Sequence, residues 1–229
     1  MINVKEELIK NSDPKLKERH LTTIPGAKNM YGVHVPILRD LAKRICKEDW
    51  QSFLKESSFS YEESMLRALV ISGAKMSTEE RLEWSRTFMP EITNWALCDI
   101  FCSEWDIKNQ EKEKLWDYCL ELIKTDDEFM MRVSAVMMLV HFIDDHYIDS
   151  VLHILSISYH EGYYFKMGSA WALSICFVKY PEKTEPYLFV PSLDNDIRNK
   201  AIQKICDSYR VEKEKKKELR IKKATLFPK

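Results

Sequence analysis

Arg67, Asp99, Arg132, Met167 and Asn199 mark similar places in successive segments, at steps of roughly 32 to 35 residues, the length of one helix pair in an α-solenoid. A recurrence of that length narrows the choice of fold sharply. One helix pair cannot bury its apolar face alone, so each must stack on its neighbours. Three helix starts carry the repeat most plainly: Phe129-Met-Met-Arg132-Val-Ser-Ala135, Tyr164-Phe-Lys-Met167-Gly-Ser-Ala170 and Asp196-Ile-Arg198-Asn-Lys-Ala201. The second helices of such a stack line a concave surface, where Trp95, Asp99, Arg132 and Trp171 are expected to meet although the sequence separates them.

Apolar residues return at three and four throughout, as in Leu38, Leu41, Ala42 and Ile45, or Tyr61, Met65, Ala68 and Leu69. A charged helix over 3–20 is expected to break at Asn11-Ser12-Asp13-Pro14, with Pro14 restarting it. Ile24-Pro25-Gly26 is a second break. Ser77-Thr78-Glu79-Glu80 predicts a capping box opening a helix that closes near Pro90. Later helices are predicted from Asp126-Asp127 through Val140, around Ile148 to Leu155, over 164–178 before Pro181, and over 196–209. Only five Gly and eight Pro are present, too few for the many tight turns of an all-β fold, and no alternating pattern competes. The expectation is therefore an all-α fold, an α/α superhelix of HEAT-like repeats forming a single domain over 1–229, with a basic C-terminal helix at about 198–223.

The 45% hydrophobic and 31% charged residues are those of a soluble protein. No apolar run reads as a signal peptide or a membrane span, which predicts a cytoplasmic protein with no membrane partner. Cys46, Cys98, Cys102, Cys119, Cys176 and Cys206 lack zinc or redox spacing and read as buried reduced thiols. The histidines form no HExxH-type pair, so no metal is expected. A formal net charge of −1 weighs against a polyanion partner unless charge is unevenly placed. The C-terminal stretch is uneven in that way: Lys200, Lys204, Arg210, Lys213, Lys215 and their successors face few acids. They read either as a solvated terminal helix or as phosphate contacts.

The stretch Thr93-Asn94-Trp95-Ala96-Leu97-Cys98-Asp99 holds the strongest chemical signal. On a helix, Trp95 and Asp99 lie one turn apart on one face, and a core face would not admit that carboxylate without a partner. A core Trp beside an Asp paired with an Arg is the plain alternative.

With Tyr31-Gly-Val-His-Val-Pro-Ile-Leu-Arg39, Trp95-Ala-Leu-Cys-Asp99, Phe129-Met-Met-Arg132, Phe165-Lys-Met-Gly-Ser-Ala-Trp171 and Ile197-Arg-Asn-Lys-Ala-Ile202 in this order, the chain resembles the AlkD-type DNA alkylation repair proteins. These are DNA glycosylases built of HEAT-like repeats, and the match runs from Tyr31 to Tyr209. The resemblance implies hydrolysis of the N-glycosidic bond of alkylated purines in double-stranded DNA without metal or cofactor, by a monomer, with Trp95, Asp99, Arg132 and Trp171 in the active site. One departure is Asn94, which stands where relatives often carry a second aromatic.

The residue types suit that chemistry. Purines alkylated at N3 or N7 are cationic leaving groups whose departure builds positive charge on the sugar. Asp99 can stabilise that charge and orient a water. Trp95 and Trp171 can hold a cationic nucleotide by their faces. Arg132 suits a phosphate, as do Arg39, Lys166, Arg198, Lys200 and Lys204. A core Trp171 and an Arg132 that only pairs Asp99 are the alternatives residue by residue. For the whole chain the alternative is a non-catalytic solenoid binding DNA or protein on its concave face.

Overall fold

The computed structural model describes residues 2–227. It is 71% helical, with fourteen α-helices and no strand among the described residues, as the apolar periods require. By its close backbone contacts the chain divides into two compact units, Met1–Leu115 and Trp116–Lys229.

The first unit holds α1 (Val4–Lys10), α2 (Pro14–Thr23), α3 (Val35–Ile45), α4 (Trp50–Lys55), α5 (Tyr61–Gly73), α6 (Thr78–Phe88) and α7 (Trp95–Ser103). The break expected at 11–14 is present: Asp13 caps α2 through Lys15 N and Leu16 N, and Pro14 takes the first helical position. Ser77 caps α6 by accepting from Glu80 N. The complete capping box belongs to α5, where Ser60 accepts from Glu63 N and Glu63 accepts from Ser60 N. α5 is buried on nearly every side because α3 and α7 flank it in one layer while α4 and α6 cover it from the other.

α8 (Lys112–Leu122) carries the division between the units. The second unit continues with α9 (Glu128–His141), α10 (Ile148–Ile157), α11 (Tyr163–Lys179), α12 (Pro181–Leu188), α13 (Asn195–Asp207) and α14 (Lys213–Leu226). It repeats the construction: α11 lies between α9 and α13, and α10 and α12 form the second layer. Small residues Gly168, Ser169, Ala170, Ala172 and Ser174, all buried, let α11 be packed from several sides.

The basic stretch 198–223 is two helices. Ser208 leaves α13 with extended backbone (φ −71°, ψ 131°), and α14 starts after Glu212 so that Leu219 is buried. α14 is also tied to α12: Glu185 binds Lys215 at 2.6 Å and Lys222 at 2.9 Å. α4 and α12 were not predicted. They are short helices of 6 and 8 residues, too short to show a period.

Candidate functional site

In the first unit, chemistry concentrates at the start of α7. Asn94 is fully buried and extended, and its Oδ1 accepts from Leu97 N at 3.0 Å, which makes it the helix cap. The departure from the usual aromatic thus has a local structural role. Trp95 is the first helical residue and remains 37% exposed. Its indole N–H donates to Thr23 O, the last carbonyl of α2, at 3.1 Å, satisfying one of the acceptors that a helix end leaves open. Asp99 follows one turn later and is half-buried, while Leu97, Cys98, Phe101 and Cys102 are buried. Indole and carboxylate therefore share the accessible face of α7, as the spacing predicted.

In the second unit, α9 and α11 face each other through Phe129 on Tyr164, stacked at 5.2 Å, and Arg132 on Gly168. Arg132 is only 5% exposed, and its Nη1 donates to Tyr164 O at 2.8 Å. Its stem crosses α11 where Gly168 has no side chain, which explains a glycine within a helix. Trp171, one turn beyond Gly168 on α11, is half-buried.

The expected phosphate contacts divide by environment. Arg198 is 1% exposed. Its Nε donates to Leu188 O at 3.0 Å and its Nη2 to Val190 O and Leu193 O at 2.8 Å. It closes the end of α12 and lies 3.6 Å from the Phe227 ring, so it offers no surface to a phosphate. Arg67 does the same for α4, donating to Leu54 O at 2.7 Å and to Glu56 O. Lys166 is 8% exposed and faces Asp196 at 2.9 Å, with Asp194 and Glu161 at 3.5 Å. The hydrogen bond to Asp196 raises its pKa above the ordinary lysine value, and its charge is already matched locally. Arg39 bonds Glu104 through Nε at 2.9 Å and Nη2 at 2.6 Å and stays partly exposed. Lys200 and Lys204 are half-buried on α13, with Lys200 Nζ 3.2 Å from Gln203 Oε1. Position along a helix does not separate a capping arginine from a surface one, since Arg198 and Arg39 both sit in the first half of a helix.

A groove of about 530 Å³ between α3 and α5 brings Arg39, expected as a phosphate contact, together with three lysines that were not expected as site residues. Arg39, Lys43, Lys47 and Lys75 line it, against one acid, Glu104. Among the described residues no cluster of His, Cys, Asp and Glu is arranged to hold a metal ion.

A family model described as DNA alkylation repair enzyme matches residues 4–205, most of the chain. The chain belongs to this family. No curated protein matches the chain. Membership gives this DNA alkylation repair enzyme a role in DNA repair, with DNA as its substrate. No helix among the described residues is long and apolar enough to cross a membrane. The family match covers α7, α9 and α11, with Trp95, Asp99, Arg132 and Trp171.

Proposed function

We propose that this DNA repair enzyme is a monofunctional glycosylase that hydrolyses the N-glycosidic bond of cationic N3- or N7-alkylated purines in double-stranded DNA. The observation that carries the reading is the pairing of Trp95 and Asp99 on the accessible face of α7. An alkylated purine is already positively charged, so it departs without a general acid. The barrier then lies in the positive charge that builds on the sugar. Asp99 stabilises that charge and orients the water that attacks the anomeric carbon. The glycosidic electron pair leaves with the base and neutralises it, and the water's proton is lost to solvent.

Trp95 offers an indole face to the cationic nucleotide, and Trp171 is assigned the same task from α11. Arg39, Lys200 and Lys204, all partly exposed, are assigned to phosphate contacts. Arg132, Arg198 and Lys166 are left out because each is less than a tenth exposed and is already bonded to backbone carbonyls or carboxylates. The proposed working form is a monomer in the cytoplasm.

Base release tests the reading. Duplex DNA carrying 7-methylguanine should yield free base when incubated with the protein, while a duplex carrying uracil, a neutral lesion, should yield none. DNA binding without release would make the protein a binder. Equal release of both bases would remove lesion charge as the selector.

A further inference from the structure

We infer that the segment between α2 and α3, latched by Glu62, positions the indole of Trp95. This rests on the reading of Trp95 as a residue that touches substrate. The segment has no helix of its own, yet it is fixed at successive points to the starts of α5 and α7. Lys28 O accepts from Tyr61 N at 3.1 Å. Asn29, in the left-handed region at φ 49°, donates its amide to Phe59 O at 2.8 Å. The Glu62 carboxylate is wholly buried and accepts from three successive backbone groups, Tyr31 N at 3.0 Å, Gly32 N at 2.7 Å and Val33 N at 3.2 Å. Such a run of N–H groups forms a concave anion seat, here filled by the protein's own carboxylate.

The segment reaches α7 at two places. Gly26, at φ +86°, brings its backbone against Thr93, and a Cβ there would lie 3.0 Å from Thr93 O. Thr23 O, just before the segment, accepts the Trp95 indole N–H. An indole is a donor only, so this one bond selects which way an otherwise exposed ring turns. A ring held in one orientation by supporting contacts presents its face without first being ordered by the ligand. Gly26 and Glu62 are thus positioning residues, acting on substrate only through Trp95.

The test combines a structural and a kinetic readout on the full chain. Indole N–H resonances are recorded for the wild type, for Gly26→Ala and for Glu62→Gln, with Trp95→Phe identifying the Trp95 signal. Both segment variants should shift that signal and speed its exchange with solvent. Single-turnover base release at saturating DNA should fall by about tenfold or more, as small misplacements of a reactive geometry do, while affinity for unmodified duplex holds. Should either variant fail to fold, Asn29→Gly removes one latch without backbone strain and must produce the same changes in milder form. An unmoved Trp95 signal would overturn the inference, and so would a moved signal with an unchanged rate. If the wild type releases no base, the proposed function falls, and the resonances alone decide whether the segment positions the ring.

Discussion

Gly168 lies against the side chain of Arg132: a Cβ added there would stand 3.2 Å from Arg132 Cγ and 3.5 Å from its Nη1. Arg132 cannot easily give way, because it is buried and its guanidinium is bonded to Tyr164 O. Alanine gains up to about 1 kcal/mol over glycine in a helix, whereas overpacking a filled site costs about 1 to 3 kcal/mol. Gly168→Ala is therefore expected to lose about 1 kcal/mol net, read from the urea midpoint. A higher midpoint would show that α9 and α11 part freely.

Glu62 should be a stability determinant of the first unit. Glu62→Ala leaves the N–H groups of Tyr31, Gly32 and Val33 without their acceptor. Hydrogen bonds to a charged group contribute about 1.5 to 3 kcal/mol each, so a loss of about 3 kcal/mol or more is expected in chemical unfolding. Glu62→Gln retains one acceptor oxygen and should lose less. Equal losses would mean that shape, and not the carboxylate, matters at this site.

The fold was legible where periods were long and breaks were marked by residues with fixed backbone preferences. Asp13-Pro14 and the run into α11 show this, since Pro14 sets a helical φ and Pro181 follows the last turn of α11. α12 was missed because its 8 residues contain Pro186 and begin at a proline taken only as a stop. At the site, spacing alone placed Trp95 and Asp99 on one face. It could not place Arg198 or Lys166, because only tertiary contacts tell an arginine closing the end of α12, or a lysine facing three carboxylates, from a cation open to solvent. The role of Glu62 was equally hidden, since its partners are backbone groups about thirty residues earlier.

That division predicts a crossed outcome. Arg198→Lys should lower the melting temperature, since an ammonium cannot reproduce the forked contacts to Leu188, Val190 and Leu193. It should leave the salt dependence of DNA binding unchanged. Lys200→Ala should do the reverse, reducing the slope of log affinity against log salt by about one. A reduced slope in Arg198→Lys would return that residue to the DNA surface.

Acid should loosen α14. Burial pushes the Glu185 carboxyl up, but its bonds to Lys215 and Lys222 outweigh this and hold its pKa below the ordinary glutamate value. A carboxylate lowered in the folded state contributes stability that is complete above the unfolded value, about 4.3, and is lost as pH falls through the folded value. Glu185→Gln should therefore melt earlier than the wild type at pH 7, and the gap should shrink towards pH 3. A constant gap would show that the two lysines contribute nothing through charge.

Asp99 carries the charge stabilisation on which base release depends. Under single-turnover conditions with duplex containing 7-methylguanine, Asp99→Asn should retain its fold and DNA affinity. It should release base about 10²-fold more slowly or worse, the scale on which one electrostatic stabiliser is lost. An Asp99→Asn rate equal to that of the wild type would contradict the proposed mechanism directly.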